Sequence, residues 1–345
     1  MLANDLLLKA CRREPVAYTP VWIMRQAGRY LPQYRAIRER VDFLTLCKTP
    51  DLAAEVTIQP VDALGVDAAI IFSDILIPIE AMGMRLELGD KGPRFFEPIR
   101  APSDIDRLSG FDPEDRTGFV MEAIRRAVKA LAGRVPLIGF CGAPFTLAAY
   151  MIEGGSSKSF LMTKRFMFEQ PQAARRLFRL LADTLTEYLK AQIRAGASVV
   201  QVFDSWGGEL SPVDYDEWSA PYLRQVIEGA KAEGAPVILF GTSMSALLER
   251  MAGIIGPDVI GVDWRIEIDE ARRRLGPSVA VQGNLDPAAL FLPPDKLQAR
   301  VRDILDRAGP VGHIFNLGHG IQPQTPPEAA RRLVELVHTL SRHPA

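Results

Sequence analysis

Eight short apolar runs, distributed along the whole chain and separated by helical or turn-forming segments, constrain the fold of this sequence most strongly. Continuous apolar runs of this length are typical of strands buried on both faces, as in parallel sheets. Amphipathic segments with helical periodicity lie between them. The runs occupy residues 21–24, 68–72, 136–140, 198–203, 237–240, 259–262, 279–281 and 313–315, and the clearest helical patterns residues 171–195, 214–232, 243–255 and 294–308.

Strand–helix alternation repeated eight times predicts an α/β fold, a single (β/α)8 TIM barrel, in preference to a doubly wound sheet. No Rossmann glycine fingerprint or P-loop follows the first run, which removes the main reason to prefer the alternative. Insertions account for the length beyond about 250 residues. The clearest, RLELGDKGPRFFEP at residues 85–98, predicts a hairpin insertion after strand two that turns at residues 89–92. We expect residues 1–345 to form one barrel domain.

The charge balance restricts the partners of the chain. It has 41 Lys and Arg against 42 Asp and Glu, a formal net charge of −1, whereas a dedicated nucleic-acid binder normally carries a basic excess. A strongly anionic ligand must therefore be held by a local cluster of cations. The uncharged stretch 135–152 contains two glycines and two prolines, so we interpret it as strand, loop and helix start, not as a membrane span.

The cysteines and the N-terminal segment indicate a cytoplasmic protein. Cys11, Cys47 and Cys141 lie far apart and form no C-x-x-C pair, which fits a reducing compartment. The first residues, MLANDLLLKACRREP, carry an acidic side chain and lack a long apolar core, so we do not expect a signal peptide.

In a barrel of this type the active site lies where strands end and the following loops begin. Arg25 and Arg29 follow the first run, with Gly28 permitting a tight turn between them, and two loop arginines at a barrel mouth favour recognition of carboxylate or phosphate. The structural alternative is a salt-bridge pair. Asp74 follows the second run among apolar residues, where a shifted pKa or a charged-ligand contact is expected. Its structural alternative is a helix N-cap.

Candidate site residues also follow the later runs. Tyr150 lies in the helix after the third run and is as compatible with a core position as with the mouth. The fourth run leads into FDSWGGEL with Phe203 and Ser205, and the eighth leads to His319 between two glycines. No lysine sits in or directly after the runs, which argues against a Schiff-base aldolase. Neither metal-ligand spacing nor a G-x-S-x-G elbow is present, so we expect no metal and no serine hydrolase.

Six strand-end motifs, in order, resemble the uroporphyrinogen decarboxylase family: RQAGRYLPQYR, FSDIL, GFCGAPFTLAAYMIEGG, FDSWGGEL, GNLDP and NLGHG. The resemblance covers roughly residues 20–327. It implies a cofactor-free, homodimeric (β/α)8 enzyme of tetrapyrrole biosynthesis. Such an enzyme removes the carboxyl groups of four acetate side chains of uroporphyrinogen III and yields coproporphyrinogen III.

The same resemblance implies roles for single residues. The loop RQAGR matches the family's substrate-carboxylate loop, and Asp74 matches the aspartate that receives the pyrrole NH groups. Asp74 and Arg25 are accordingly the expected catalytic residues. The expected substrate contacts are Arg25, Gln26, Ala27, Gly28, Arg29, Asp74, Tyr150, Phe203, Ser205 and His319.

Two other functions are compatible with parts of this pattern. The first is a zinc-dependent corrinoid methyltransferase on the same barrel, which would carry a thiolate–histidine zinc site near the later strands. The His319 loop has no cysteine, and Cys141 stands alone after the third run. The second is a non-catalytic tetrapyrrole-binding protein, which could keep the arginines but would have no need of a buried Asp74.

Overall fold

A curled sheet of parallel strands, surrounded by helices, forms the centre of the computed structural model, which describes residues 2–89 and 92–342. The parallel sheet has the order β1-β4-β5-β6-β7-β8-β9, and β2 and β3 form a separate antiparallel pair. The α/β barrel predicted from the alternating pattern is confirmed. The strands are β1 (Ala69–Ile70), β2 (Leu86–Gly89), β3 (Gly92–Phe95), β4 (Leu137–Gly142), β5 (Val199–Asp204), β6 (Val237–Gly241), β7 (Val259–Gly261), β8 (Ala280–Leu285) and β9 (His313–Leu317).

Helices connect the strands and cover the outside of the sheet. They are α1 (Leu6–Cys11), α2 (Pro32–Arg38), α3 (Phe43–Lys48), α4 (Pro50–Leu64), α5 (Ile77–Ala81), α6 (Pro113–Leu131), α7 (Pro144–Glu153), α8 (Leu161–Glu169), α9 (Pro171–Arg194), α10 (Pro212–Trp218), α11 (Ala220–Ala232), α12 (Leu248–Arg250), α13 (Ile268–Leu275), α14 (Pro294–Ala308) and α15 (Pro327–Leu340). Single turns of other helix types occupy Pro102–Arg107, Gly207–Glu209, Ser245–Leu247, Met251–Ile255 and Pro287–Phe291.

Two predicted helices differ from the observed ones. The segment 214–232 is divided into α10 and α11 at Ser219, because Pro221 cannot donate its backbone nitrogen and restricts the residue before it. The segment 243–255 is a succession of 3-10, α and π turns. Its end, Met251–Ile255, contains glycine and two isoleucines, which have low helix propensity. The patterns at 171–195 and 294–308 form α9 and α14.

The first apolar run closes the barrel without forming a regular strand. Val21 makes a parallel bridge with Phe315 of β9, and its carbonyl accepts the Asp67 backbone N–H at 2.8 Å, so the segment lies between β9 and β1. The Met24 N–H then donates to the side-chain oxygen of Asn316 at 3.0 Å. Because the Asn316 side chain takes one of the backbone hydrogen bonds here, the strand predicted from the first run is reduced to a bridge.

The predicted hairpin insertion is present as the β2–β3 pair. Leu86 lies opposite Phe95, and the central turn residues 90 and 91 fall outside the described residues. The hairpin packs against the loop after α7, where the Phe95 N–H donates to the Gly154 carbonyl at 3.0 Å and Arg94 bridges Gly155. The insertion therefore borders the same loop cluster as the barrel mouth.

The interior of the barrel is a packed apolar layer. It includes Trp22, Ile138, Val199, Ile238 and Ile314, all completely buried. Leu7, Ala10 and Cys11 of α1 join this cluster, so α1 covers the amino-terminal end of the barrel. The site must therefore lie at the opposite end. No helix in residues 2–89 and 92–342 is long and apolar enough to cross a membrane.

Candidate active site

A cavity of about 620 Å³ opens at the carboxyl ends of the strands. Its wall comes from the loops after the first, second, fourth and eighth apolar runs, as strand-end positions in a barrel require. Eight of the predicted site residues line it: Arg25, Ala27, Gly28, Arg29, Asp74, Phe203, Ser205 and His319. Segments far apart in sequence thus converge on one cavity.

Arg25 occupies the centre of this arrangement. Its backbone lies in the left-handed region with a φ of 61°, which is uncommon for a residue other than glycine. A Cβ atom at Gly320 would lie 2.4 Å from the Arg25 Cδ, so only glycine at this position lets the arginine pack there. The positive charge of the guanidinium acts on both Asp74 and His319: it opposes the rise in the pKa of Asp74 and contributes to the lowered pKa of His319. Arg25 therefore links the two sides of the cavity.

Asp74 presents a partly unsatisfied carboxyl group to the cavity. Its Oδ1 accepts the Leu76 N–H at 2.9 Å, just before α5, which partly fulfils the capping alternative. No residue in the described part of the chain donates a hydrogen bond to Oδ2. Burial raises the pKa of the Asp74 carboxyl above its ordinary value, while the Leu76 amide and the Arg25 charge oppose that shift. A hydrogen-bond donor or a cation in the cavity would compensate the buried charge.

His319 is a neutral side chain at pH 7. Burial, together with the positive charges of Arg25 and Arg265, lowers the pKa of its imidazole to about 4. Its ring lies 6.3 Å from that of Phe240, centroid to centroid. In this state the imidazole offers one N–H donor and one acceptor, but no positive charge, to a ligand.

The arginine loop is held by its own backbone contacts. The Tyr30 hydroxyl donates to the Gln26 carbonyl at 2.8 Å. One guanidinium nitrogen of Arg35 on α2 donates to the carbonyls of Arg29 and Tyr30, at 2.9 and 3.0 Å. These contacts fix the loop that carries Arg25 and Arg29 before any ligand binds.

Two predicted substrate contacts do not line the cavity. The Gln26 side chain is completely buried in the barrel wall, where its amide nitrogen donates to the Ala68 carbonyl at 3.0 Å and its oxygen accepts the Ile23 N–H at 3.1 Å. Tyr150 is half-buried beside the cavity, with its ring edge-to-face against Trp206 at 5.9 Å. Burial raises the pKa of the Tyr150 phenol, which keeps it protonated.

A row of aromatic rings across neighbouring strands forms much of the cavity wall. Phe140 and Phe203 are in edge contact with centroids 5.6 Å apart, and Phe203 and Phe240 with centroids 6.1 Å apart. Sequence reasoning identified Phe203 alone. The signal for the other two was available, since each of these apolar runs ends in phenylalanine. Such a wall suits a large ligand with flat rings.

A second cavity, of about 570 Å³, lies at the amino-terminal end of the barrel. Its wall includes Arg12, Arg13 and Lys231, but Lys231 is paired with Asp258 at 3.0 Å. The Arg13 guanidinium donates to the Pro277 carbonyl at 2.5 Å. No aromatic side chain of the described residues lines this cavity, and its carboxyl group, Asp258, is already paired with Lys231, so the mouth is the stronger candidate site.

The cysteines and other potential metal ligands are dispersed. Cys11, Cys47 and Cys141 are free and buried. Across residues 2–89 and 92–342, no group of three or more His, Cys, Asp or Glu side chains is placed to hold a metal ion.

Comparison with known proteins gives concordant results. A family model described as uroporphyrinogen decarboxylase (URO-D) matches residues 2–340. The chain is similar to uroporphyrinogen decarboxylase of Myxococcus xanthus, 64% identical over 97% of this chain and 96% of the relative. The Carboxydothermus hydrogenoformans enzyme of that name is 52% identical, over 98% and 97%. A solved methyltransferase from Methanosarcina mazei has the same fold, with a TM-score of 0.82 over 97% of both chains at 19% identity.

Proposed function

This chain belongs to the uroporphyrinogen decarboxylase family, and from that premise we propose how its barrel mouth carries out the reaction. The protein removes the carboxyl groups of the four acetate side chains of uroporphyrinogen III as CO2 and leaves methyl groups, which gives coproporphyrinogen III. Relatives of this name match nearly the whole chain at 52–64% identity. The similarity that supports this activity therefore covers the entire barrel and not a shared fragment.

The chemistry of the substrate defines what the protein must supply. Direct loss of CO2 from an acetate would leave an unstabilised carbanion. Protonation of the adjacent pyrrole carbon first creates a cationic, iminium-like ring that accepts the electron pair, so the pyrrole acts as its own electron sink. After CO2 has left, the exocyclic methylene carbon takes up a proton and becomes the methyl group, and the ring carbon loses the proton that it gained, so one proton is consumed for each CO2 released. The protein must therefore provide a proton, stabilise positive charge on the ring and position the acetate.

The unsatisfied carboxyl of Asp74 is the observation that carries the proposal. One of its oxygens is held by the Leu76 amide, and the other has no donor from the described residues and faces the cavity. Pyrrole N–H groups would supply the missing donors. Because positive charge develops on the ring only during reaction, the attraction to a preorganised carboxylate is stronger in the transition state and raises the rate.

The arginines address the negative charge of the substrate. Arg25 and Arg29 line the cavity on the loop side, and planar guanidinium groups are suited to paired hydrogen bonds with carboxylates. We assign Arg25 also as the candidate proton donor, with a water molecule or a substrate carboxyl as relay, since arginine itself is a poor acid. His319 contributes a neutral hydrogen-bonding group. Ala27, Gly28, Phe203 and Ser205 are assigned as contacts along the wall, and Tyr150 as a predicted contact beside it. Gln26, whose side chain is buried and bonded to the backbone, is assigned to holding the arginine loop instead of contacting the substrate.

The assembly and location are part of the same proposal. We propose a homodimer of single-domain barrels, residues 1–345, that acts in the cytoplasm without nucleic-acid or membrane partners. The dimer follows from the resemblance to the family, and the exposed apolar side chains of α8, Leu161 and Phe168, are the candidate interface residues. Sedimentation velocity tests the dimer.

Incubation with enzymatically generated uroporphyrinogen III, followed by mass analysis, tests the activity. We expect products that have lost one, two, three and four CO2 in turn, with full activity after dialysis against a chelator. Binding without mass loss would instead identify a non-catalytic tetrapyrrole carrier. Stoichiometric zinc with dependence on added metal would favour the corrinoid methyltransferase alternative.

A further inference from the structure

The proposed function gives no role to the most buried part of the motif FDSWGGEL. Asp204 lies between Phe203 and Ser205, which both line the cavity, yet its own side chain is completely buried and does not line it. A carboxyl group inside a protein is costly unless it is hydrogen-bonded. The partners of Asp204 therefore indicate what it does.

Thr146 joins Asp204 to the following turn through a single hydroxyl group. Its Oγ1 donates to Asp204 Oδ1 at 2.9 Å and accepts the Trp206 backbone N–H at 3.1 Å. Thr146 is completely buried on α7. The end of β5 and the turn after it are thus bonded to a neighbouring helix at one point.

The same turn supports a predicted substrate contact. Tyr150 lies one helical turn after Thr146 on α7, and its ring packs edge-to-face on Trp206. Phe160 packs against the same indole, and the ring centroids of Phe160 and Trp206 are 4.9 Å apart. The indole therefore connects α7 with the loop that follows it.

The turn is shaped around the carboxyl group. A Cβ atom at Gly207 would lie 2.3 Å from Asp204 Oδ2, so only glycine allows the chain to close over it. Burial raises the pKa of Asp204 to about 6, and the hydrogen bond from Thr146 opposes that rise. Asp204 Oδ2 is buried without a donor among the described residues. The turn at Gly207, which follows Ser205, and helix α7, which carries Tyr150, thus both approach this carboxyl group.

We propose that Asp204 and Thr146 are positioning residues of the decarboxylation site, acting through the turn at Trp206. They set the orientation of the predicted substrate contacts on β5 and α7 toward the reacting ring. The inference rests on the proposed function. Its physical basis is that side chains which meet a substrate need supporting hydrogen bonds to hold productive geometry.

The test compares Thr146→Val, which keeps the shape and removes the hydroxyl, with Thr146→Ser, which restores the hydroxyl. Thr186→Val is the matched control, because Thr186 is a buried helical threonine whose hydroxyl donates to the Ala182 carbonyl within its own helix, α9. For each variant kcat and KM for uroporphyrinogen III are measured well below the melting temperature, Tm, which is determined separately.

We expect Thr146→Val to lower kcat by about 10- to 100-fold with a smaller change in KM, since a displacement of about 1 Å can cost that much. Thr146→Ser should retain activity within about threefold of the wild type, as the hydroxyl can bridge again. Asp204→Asn should show the loss of kcat seen in Thr146→Val. Thr186→Val should leave kcat and KM unchanged.

A purely structural role would lower Tm in Thr146→Val while the folded enzyme kept its kcat, and that result would overturn the inference. Equal kcat in Thr146→Val and Thr146→Ser would do the same. If the wild type itself releases no CO2, the proposed function fails. In that case the affinity for uroporphyrinogen III, measured by quenching of tryptophan fluorescence, tests the positioning role separately. Equal affinities in Thr146→Val and Thr146→Ser would contradict that role.

Discussion

Two aspartates at opposite ends of the same short strand have different surroundings. Asp67 precedes β1 and is 1% exposed, while Asp74 follows it at the cavity. Both oxygens of Asp67 are used: the Val21 N–H and His338 Nε2 lie 2.8 Å from Oδ2, and the Asn4 amide lies 2.7 Å from Oδ1. Asp74 has one backbone donor on one oxygen.

The difference indicates that Asp67 serves the stability of the barrel and that Asp74 serves its function. Asp67 joins the N-terminal segment, the closing segment at Val21 and helix α15, so its contacts hold the barrel together. Asp74 carries a carboxyl group whose burial raises its pKa and whose second oxygen faces the cavity. A carboxyl oxygen that faces a cavity and takes no donor from the described residues is available to a ligand.

The largest expected effect is on catalysis at Asp74. Asp74→Asn should lower kcat by about 10²–10³-fold, because it removes preorganised negative charge from the developing cation. Its Tm at pH 7 should equal or exceed that of the wild type. The raised pKa means that the folded state loses stability as pH rises through the Asp74 titration, and an amide does not titrate.

Asp286→Asn is the matched control for Asp74→Asn. Asp286 also follows a strand and accepts a backbone N–H two residues later, from Ala288 at 2.9 Å, but it does not line the mouth cavity. The kcat of Asp286→Asn should match that of the wild type. Near-normal turnover in Asp74→Asn would remove Asp74 from the mechanism.

The next effect concerns stability at Asp67. Asp67→Ala should lower the free energy of unfolding by about 3 kcal/mol, since it leaves buried donors such as the Val21 N–H without an acceptor. The kcat per folded molecule should stay near the wild-type value. Urea unfolding measures this free energy.

Asp303→Ala is the control. It removes a carboxylate from the exposed pair with Arg307, at 3.0 Å, and should change the free energy of unfolding by less than about 0.5 kcal/mol. Similar losses in both variants would refute a special role for Asp67.

Arg29→Ala should act on binding more than on folding. We expect KM to rise about tenfold, equivalent to about 1.4 kcal/mol, through loss of a cation facing the substrate carboxylates. Arg40→Ala removes the same charge from an exposed position whose guanidinium donates to the Ala36 carbonyl at 3.2 Å, and its KM should not change. A fall in Tm at unchanged KM would establish the salt-bridge alternative for Arg29.

The effect that is smallest at pH 7 is a pH dependence from His319. Its pKa is about 4 when folded and about 6.5 when unfolded, so the unfolded chain binds one more proton between those values. The free energy of unfolding should therefore fall as pH drops from 6.5 to 4. His319→Gln should reduce this slope by up to about 1.4 kcal/mol per pH unit. Buried His313, whose pKa is also lowered to about 4, keeps its own contribution. An unchanged slope would mean that folding does not lower the pKa of His319.

Much of the fold was predictable because it depends on local pattern. Parallel strands buried on both faces require continuous apolar runs, and seven of the eight runs form strands of the sheet. The first run was predicted as a strand and forms a bridge, because the Asn316 side chain, distant in sequence, takes one of its backbone hydrogen bonds.

Much of the site was also predictable, since side chains that follow parallel strands meet at one end of a barrel. Arg25, Asp74 and His319 were placed in this way. The directions of Gln26 and Tyr150 were not predictable: Gln26 is bound to the Ala68 carbonyl, and Tyr150 packs on Trp206. Both contacts join residues more than 40 positions apart, which no local pattern encodes.

The sequence by itself determined the barrel, the end that carries the site and the residue types available there, because these follow from hydrophobic period and strand order. Only the tertiary structure decided the states of those residues. The same side chain is a satisfied support at Asp67 and a partly unsatisfied group at Asp74, and the imidazole of His319 is neutral because burial and two arginines lower its pKa. Burial, hydrogen-bond partners and neighbouring charge set these properties, and all three exist only once the chain has folded.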